Sequence, residues 1–279
     1  MKTETPDAAR SLVELIAVFG SCAVAFSGGV DSAVVAKAAQ QALGSAAVAV
    51  TGRSASLASG EMEAASRLAS LIGIRHVVVD TDEVSQAEYA ANGPDRCFHC
   101  KTELYTQLEA LAGELGTATI VNGANTDDLG DYRPGMRAAT QHRVRSPLAE
   151  CGLDKAAVRR LALAWELPVW DKPATPCLSS RVAYGEPVTP ERLEMIDRAE
   201  QFLRGLGLAN LRVRYHKGDL ARIEVPAEAI TRLSQPETRA AVLAELRRLG
   251  FQYVTLDLEG FRSGSMNRAL GVGQLPVLK

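Results

Sequence analysis

Residues 22–38 read CAVAFSGGVDSAVVAKA, an apolar run followed by a glycine-rich turn and a second apolar run. The first run has the length of a buried strand and the second the composition of a helix, so the stretch predicts strand, turn and helix start. A helix N-terminus presents unpaired backbone N–H groups and the positive end of the helix dipole. Gly28 and Gly29 allow the backbone to curl around an anion without a Cβ clash. The turn is therefore predicted to bind phosphate.

The hexapeptide SGGVDS, residues 27–32, contains no lysine that would reach the β- and γ-phosphates during γ-phosphoryl transfer. Backbone donors flanked by Ser27, Ser32 and Asp31 suit a pyrophosphate that leaves as one unit, with Asp31 placed to hold Mg2+. The hexapeptide resembles the pyrophosphate loop of the ATP pyrophosphatases, which adenylate a carboxyl or carbonyl oxygen. An ordinary turn of a parallel sheet is the alternative, and we favour the pyrophosphate loop because all six positions fit.

The composition is that of an ordinary globular protein. The chain has 279 residues, enough for two domains or one large one, and its 47% hydrophobic and 23% charged residues argue against disorder. A net charge of -2 gives no overall field to attract nucleic acid, so no nucleic-acid partner is expected. The sequence shows neither an uncharged signal-peptide core nor a run of about 18 apolar residues. We expect a cytoplasmic protein without a membrane partner.

Up to Trp170 the chain alternates short apolar runs with helical patterns. The predicted strands are 22–26, 46–50, 76–79 and 119–121. The predicted helices are 32–43, 59–71, 100–115 and 155–165. This alternation predicts an α/β fold with a doubly wound, mostly parallel sheet that binds ligands at the carboxyl ends of its strands. Thr51, which follows the second strand, is therefore a candidate ATP-binding residue, together with Ser27, Gly28, Gly29, Asp31 and Ser32 of the loop.

A proline-rich stretch around residues 172–190 ends this pattern. Beyond it, the sequence predicts a helix, a hairpin, a second helix and a strand, at 191–206, 211–225, 226–249 and 253–258. This is the pattern of a small α+β domain. We place the domains at 1–187 and 188–279, the second for substrate binding or oligomerisation.

The segment NGANTDDLGDYRPG, residues 122–135, is the second dense polar cluster. Gly123 can let adenine approach the backbone, with Asn125 as a further ATP contact, and Asp127 and Asp128 can share Mg2+ with Asp31. An Asn- and Asp-rich surface turn is the alternative. Because the segment follows a strand of the same sheet as the phosphate loop, we favour the site.

In a reducing compartment the cysteines are read as thiols or metal ligands; they are Cys22, Cys97, Cys100, Cys151 and Cys177. Cys97 and Cys100 form one CxxC pair, too few ligands for a structural zinc site. Cys177 lies in PCLSSR, where Arg181 favours its thiolate, so it is either a reactive or a buried structural cysteine. Together these three thiolates can hold a [4Fe-4S] cluster with one iron open. Cys22 and Cys151 are read as structural.

Arg212 and Arg214 alternate with Val213 and Tyr215, so both arginines are predicted to lie on one face of a strand. Two arginines on one face can bind a phosphate or a carboxylate. A solvated sheet face is the alternative, and the local sequence alone favours it.

Six segments together resemble the LarE family of ATP-dependent sulfur transferases, which belongs to the ATP pyrophosphatases with their adenine nucleotide α-hydrolase-like fold. They are SGGVDS at 27–32, RCFHCK at 96–101, NGANTDDLGDYRPG at 122–135, SPL at 146–148, KPATPCLSSR at 172–181 and DLEGFRSGSMNR at 257–268. The resemblance spans nearly the whole chain, and PCLSSR with the late EGFRSGSMN is its most specific part. It implies synthesis of the nickel-pincer nucleotide cofactor of lactate racemase and related enzymes.

By this resemblance, ATP adenylates a carboxylate of pyridinium-3,5-biscarboxylic acid mononucleotide and releases pyrophosphate, and sulfur then replaces oxygen to give a thiocarboxylate. Cys177 matches the cysteine that donates its own sulfur in family members with a single cysteine. Other members carry a CxxC besides, and their three thiolates hold a [4Fe-4S] cluster with an extra sulfide. Because Cys97 and Cys100 are present, we expect the cluster version.

The resemblance also places Ser180 and Arg181 beside the sulfur and makes Arg212 and Arg214 candidates for the substrate phosphate. It implies a homo-oligomer. Arg268 departs from the acidic residue expected at the end of the late segment, which weakens any role for that position.

Three other interpretations remain open. Cys177 can be a sacrificial sulfur donor without a cluster. The chain can be a tRNA-thiolating or amidating pyrophosphatase, although its neutral charge and the lack of a glutaminase domain disfavour both. It can also be a non-catalytic ATP-binding module, which would leave Cys177 and the paired aspartates unexplained.

Overall fold

The computed structural model describes residues 4–130, 134–208, 210–262 and 265–266. Over these ranges it contains seven β-strands, which are β1 (Cys22–Ala25), β2 (Ala47–Arg53), β3 (Arg75–Asp80), β4 (Thr119–Val121), β5 (Arg212–His216), β6 (Leu220–Glu224) and β7 (Tyr253–Leu256). It also contains eleven α-helices, which are α1 (Glu4–Ala17), α2 (Val30–Leu43), α3 (Glu61–Ile72), α4 (Ala87–Ala90), α5 (Arg96–Leu115), α6 (Pro134–Gln141), α7 (Pro147–Glu150), α8 (Lys155–Ala164), α9 (Pro190–Gly205), α10 (Ala227–Ser234) and α11 (Pro236–Arg248). None of the helices in these ranges is long and apolar enough to cross a membrane.

The packing divides the chain into two compact units. Within the described ranges, the first unit lies in Met1–Ser54, Ser59–Glu83 and Cys97–Thr175. The second lies in Ala55–Ala58, Val84–Arg96 and Pro176–Lys279, so it takes two short segments from the first half of the chain. The division into domains 1–187 and 188–279 stays a prediction.

The first unit is built on a four-stranded sheet with the order β3-β2-β1-β4. All of its pairings are parallel, and Cys22 of β1 lies opposite Ala47 of β2 and Thr119 of β4. The parallel sheet predicted from the alternation of strands and helices is therefore confirmed.

Helices cover both faces of this sheet because alternate residues of β1 point to opposite sides. Cys22 and Val24 pack into a core with residues of α1, α2, α3 and α8. Ala23 packs on the other face, in a cluster with Val48 of β2 and Leu108 of α5. The sheet is thus doubly wound, as predicted.

The strand order places the ends of β1 and β4 at a switch point of the sheet. From β1 the chain continues to β2 and β3 on one side and returns to β4 on the other. In open parallel sheets, ligands bind in the crevice at such a switch point, outside the carboxyl ends of the strands. The SGGVDS loop follows β1 and residues 122–125 follow β4, so the two polar segments meet there.

The second unit contains a smaller sheet with the order β5-β6-β7, in which β5 and β6 are antiparallel and β6 and β7 are parallel. The predicted hairpin is present. The single helix predicted over 226–249 is wrong, because α10 ends at Ser234 and α11 begins at Pro236. Pro236 has no N–H to donate and restricts Gln235, the residue before it, to an extended conformation, so α10 ends at Ser234.

Candidate functional site

The phosphate loop requires glycine at its bend. Gly28 has a φ of +71°, and a Cβ there would lie 3.2 Å from Cα and Cβ of Ala65 in α3. Gly29 is the N-cap residue of α2 and provides no side-chain hydrogen bond to the helix. The first-turn N–H groups of α2 are therefore left uncapped by that position, as an anion site at a helix N-terminus requires.

Two serines brace the loop from within. The Ser32 hydroxyl donates a hydrogen bond to the Gly29 carbonyl at 3.0 Å and lies 3.2 Å from the Ser27 hydroxyl. The Ser27 hydroxyl in turn accepts from the Gly29 N–H at 3.4 Å. Both hydroxyls thus hold the loop conformation in this structure.

Thr51 contacts the residue that precedes the loop. Its hydroxyl donates to the Phe26 carbonyl at 2.7 Å and lies 2.8 Å from Nε2 of His76. Because the Thr51 proton is used toward Phe26, Nε2 of His76 must carry a hydrogen and donate it to Thr51. Burial lowers the pKa of His76, which favours this neutral form.

Asp31 is held by two partners at the start of α2. Its carboxylate accepts a hydrogen bond from the Asn125 side-chain amide at 3.2 Å. Its other oxygen pairs with the Lys155 ammonium at 2.5 Å. Asp31 and Asn125, both predicted site residues, lie together in the structure, whereas Lys155 is a partner that the sequence does not predict.

Gly123 lies directly against the start of α2. A Cβ at this position would come within 2.8 Å of the Ser32 backbone nitrogen and 2.9 Å of the Asp31 carbonyl carbon. Only glycine fits, because both of these atoms belong to the backbone and cannot rotate away. Its predicted contact with adenine stays a prediction.

Asp127 and Asp128 lie in a short 3-10 helix, Thr126–Gly130. The Asp127 carboxylate accepts from the Lys155 N–H at 3.1 Å, and the Asp128 carboxylate accepts from the Asn125 N–H at 3.0 Å. Both side chains thus fix the segment that carries Asn125. Their predicted share in Mg2+ binding stays a prediction.

The donor chemistry at Asp31 fits a magnesium ion. Mg2+ is commonly held by one or two carboxylates together with substrate phosphates and water, rather than by a cage of protein ligands. Asp31 is partly exposed at the edge of the phosphate loop, with 26% of its side chain accessible. In the part of the chain that the structure describes, no group of three or more His, Cys, Asp or Glu side chains is arranged to hold a metal.

In the second unit, Cys177 immediately precedes a 3-10 helix, Leu178–Arg181. The Arg181 guanidinium is fully buried and donates to the carbonyls of Pro176 and Cys177, the latter at 2.9 Å. Its other nitrogens pair with both oxygens of Glu200 at 3.0 and 3.2 Å. Arg181 therefore holds the backbone of the cysteine turn.

Two further arginines donate to the same turn. Arg96 donates to the Ser179 carbonyl at 2.8 Å, and Arg214 donates to the Ser180 carbonyl at 3.1 Å. The Ser180 hydroxyl bonds to the Cys177 carbonyl at 2.7 Å. Since the carbonyls of Cys177, Ser179 and Ser180 each accept from a guanidinium group, the turn is held rigidly from several elements.

Arg212 and Arg214 of β5 have different partners. Arg214 is nearly buried and its guanidinium pairs with Glu224 at 2.7 and 2.9 Å. Arg212 lies over the Phe261 ring at 5.2 Å, and no carboxylate pairs with it among the described residues. Burial, followed by the nearby charge of Arg181, lowers the pKa of Arg212 to about 10. Within the described ranges, Arg212 is thus a cation without a direct counter-ion.

All five cysteines lie in the described part of the chain, and none of them forms a disulfide there. Cys97 and Cys100 lie in the first turn of α5, in the first unit, while Cys177 belongs to the second unit. Cys97 is exposed, and Cys100 and Cys177 are half-buried. Cys22 is buried in β1, and burial raises the pKa of its thiol to about 12, as expected of a structural cysteine.

Comparison with known proteins identifies the family. The model of the NAD synthase family matches residues 10–103, which include the phosphate loop. An uncharacterised protein of Synechocystis sp. is 48% identical over 247 residues, covering 88% of this chain and 92% of that protein. The pyridinium-3,5-bisthiocarboxylic acid mononucleotide synthase of Lactiplantibacillus plantarum is 39% identical over 253 residues, covering 90% of this chain and 91% of the synthase. The chain belongs to the LarE family of this synthase.

A more distant relative is similar to only part of this chain. The glutamine-hydrolysing GMP synthase of Aeropyrum pernix is 31% identical over 198 residues, which cover 64% of this chain and 38% of that protein. The similarity to this GMP synthase thus covers less than half of the GMP synthase chain.

Several residues that contact the candidate site are not predicted from the sequence. Lys155 and Glu200 contact the predicted site residues Asp31 and Arg181, and Arg96 contacts Ser179 in the turn that carries Cys177. A lone lysine or arginine on a helix carries no local signal of such a contact. In the segments that resemble the family, residues 131–133, 263, 264, 267 and 268 lie outside the described residues.

Proposed function

We propose that this chain is an ATP-dependent sulfur transferase that adenylates a carboxylate of pyridinium-3,5-biscarboxylic acid mononucleotide and converts it to a thiocarboxylate. The observation that carries the proposal is the 39% identity to a named bisthiocarboxylic acid mononucleotide synthase over 90% of the chain. That relation spans both the phosphate loop and the cysteine turn, so it supports the nucleotide half and the sulfur half of the reaction together.

In the nucleotide half, the N–H groups at the start of α2 bind the phosphates of ATP. The uncapped N-terminus of α2 supports this role. Asp31 holds Mg2+, which neutralises charge on the phosphates. Asn125 bonds to Asp31, and Asp127 and Asp128 follow Asn125 closely in the chain, so these two carboxylates contribute to Mg2+ binding as well. Thr51, Gly123 and Asn125 shape the loop and the space for the nucleotide.

In the second half, the Cys177 turn supplies the place where sulfur is delivered. Ser180 and Arg181 both bond to the Cys177 carbonyl, so they position the backbone that carries the thiol. We assign the thiols of Cys97, Cys100 and Cys177 to a [4Fe-4S] cluster, which would offer a sulfide at its open iron. The chemistry of the donor set fits, because three cysteine ligands leave one iron of such a cluster without a protein ligand. A sacrificial Cys177 is the competing assignment.

The substrate phosphate is assigned to Arg212 and Arg214. The lowered pKa of Arg212 and its lack of a carboxylate partner among the described residues support an anion at this position, because a phosphate would replace the missing counter-ion. Arg214 is already neutralised by Glu224 and contributes chiefly by orientation. We further assign the protein to the cytoplasm, as a homo-oligomer without a nucleic-acid partner.

Pyrophosphate release tests the proposal. The wild-type protein, ATP, Mg2+ and the pyridinium biscarboxylic acid mononucleotide should release pyrophosphate, and release should stop when the mononucleotide is omitted. Asp31→Ala should abolish it, while Asp7→Ala, which removes the same charge from an exposed position of α1, should not. Equal release with tRNA in place of the mononucleotide, or normal release by Asp31→Ala, would contradict the proposed function.

A further inference from the structure

At the phosphate loop, Asp31 forms an ion pair with Lys155, a residue that has no role in the reaction described so far. The Lys155 ammonium lies 2.5 Å from the Asp31 carboxylate, and both side chains are partly exposed, at 35% and 26%. The two residues are 124 positions apart in the chain. The loop itself has no lysine, so Lys155 brings to it from α8 the positive charge that the hexapeptide lacks.

The base of Lys155 is fixed by the fold. It is the first residue of α8, whose N-cap Asp154 accepts a hydrogen bond from Ala157. The Lys155 N–H donates to Asp127 at 3.1 Å. One turn further on, Val158 of α8 packs into the same core as α2. The lysine therefore starts from a rigid point, while its four-carbon side chain can rotate at the rim of the loop.

A pairing with Asp31 alone does not account for this placement. Ion pairs between partly exposed side chains contribute little to stability, about 0 to 1 kcal/mol. A divalent cation at Asp31 would repel the ammonium, and the same long side chain can then turn to a phosphate oxygen within a few ångströms. Asp31 thus holds the lysine beside the loop until phosphates are present.

We propose that Lys155 is a catalytic residue that binds the β- and γ-phosphoryl oxygens of ATP and neutralises the departing pyrophosphate. The inference rests on the proposed function for the nature of the acceptor. An oxygen of the acceptor carboxylate bonds to the α-phosphorus, the bond from the α-phosphorus to the bridging oxygen breaks, and its electron pair stays on the pyrophosphate. Lys155 keeps its proton throughout and stabilises that negative charge by a charge-assisted hydrogen bond.

Binding of fragments to the free protein tests this role without any turnover. Titration calorimetry with inorganic pyrophosphate and with AMP, each with Mg2+, compares Lys155→Met with wild type. We expect pyrophosphate affinity to fall by about tenfold or more and AMP affinity to stay within about twofold, since AMP lacks the β- and γ-phosphates. Lys155→Arg should retain most of the pyrophosphate affinity. The matched control is Arg160→Met, which removes one positive charge from an exposed position of the same helix and should change neither affinity.

Each other outcome has a defined meaning. An equal loss of AMP and pyrophosphate affinity in Lys155→Met, or no loss of either, would overturn the role of Lys155 and leave it as a structural partner of Asp31. Failure of the wild type to bind pyrophosphate would overturn it too. Normal, lysine-dependent pyrophosphate binding combined with no release on the pyridinium mononucleotide would instead refute the proposed substrate and leave the role of Lys155 standing.

Discussion

At the scale of single residues, Arg212 and Arg214 show that a shared strand face does not give two residues the same role. Arg214 is paired with the buried Glu224, so its charge is already balanced. Arg212 is half-buried over Phe261 and has no carboxylate partner among the described residues. The alternation in the sequence correctly indicated two arginines on one strand, but only packing distinguishes the balanced cation from the unbalanced one.

This difference makes Arg212 the better position to test for the substrate phosphate. Arg212→Met should weaken binding of the pyridinium mononucleotide by about 1.5 to 3 kcal/mol, the value of a hydrogen bond to a charged group, while ATP binding is unchanged. Calorimetry measures both affinities. Arg198→Met, which removes an exposed arginine of α9, is the matched control and should change neither. If Arg212→Met weakens ATP and the mononucleotide equally, the arginine belongs to the fold or to the nucleotide site.

His76 is a second residue whose environment has a measurable consequence. Burial lowers its pKa below the ordinary value of 6.5. Just below that pH, the unfolded chain therefore binds more protons than the folded protein. The contribution of His76 to the free energy of unfolding is thus complete above about pH 6.5 and is lost as the pH falls through the lowered pKa. His216, also with a lowered pKa, acts in the same direction.

The free energy of urea unfolding at about pH 7.5 and about pH 5 measures this effect. In His76→Gln the amide can still donate to Thr51 but does not titrate, so the variant should lose less stability on acidification than wild type. Part of the loss of unfolding free energy should remain in this variant because of His216. An equal loss in both proteins would show that His76 does not contribute.

At the scale of elements, β1, α2 and the loop between them were predictable because each is specified by neighbouring residues. The apolar run and the two glycines define where the strand stops and where the helix starts, although α2 begins at Val30 rather than Ser32. The break between α10 and α11 was missed even though Pro236 marks it. The apolar periodicity on either side of that proline favours one continuous helix, but its missing N–H breaks the helix there.

The loop after β4 was predicted to be functional, but the need for its glycine comes from packing. Gly123→Ala would place a Cβ 2.8 Å from the Ser32 nitrogen and force the start of α2 to move. Such overpacking costs about 1 to 3 kcal/mol, so ATP affinity should fall by about tenfold or more. Calorimetry with ATP and a thermal unfolding curve measure the two effects.

Gly113→Ala is the control for this substitution. Gly113 lies in α5 with no atom within 4 Å of its added Cβ. Alanine is a better helix former, so this variant should gain about 0.5 to 1 kcal/mol and leave ATP affinity unchanged. If Gly123→Ala binds ATP as tightly as Gly113→Ala, the contact between the β4 loop and α2 does not shape the nucleotide site.

At the scale of the whole molecule, the alternation of strands and helices was enough to predict a doubly wound parallel sheet. The recruitment of 55–58 and 84–96 into the second unit was not predictable, because their contacts are with residues far along the chain. The Ser56 carbonyl accepts a hydrogen bond from the Leu178 N–H at 2.8 Å, and the Tyr89 hydroxyl lies 2.7 Å from the Ser179 hydroxyl. Local periodicity contains no information about such pairings.

The last prediction concerns the sulfur source, which depends on thiols from distant parts of the chain. If Cys97, Cys100 and Cys177 hold a [4Fe-4S] cluster, the protein should be brown when it is purified or reconstituted without oxygen, and serine at any one of the three should remove the colour and the bound iron. Cys22→Ser and Cys151→Ser are the controls and should keep both, because burial raises the pKa of these two thiols and disfavours the thiolate that binds iron. Mass spectrometry after turnover gives the opposing result. Loss of hydrogen sulfide from Cys177 in a protein that held no iron beforehand would make the side chain itself the donor and rule out the cluster.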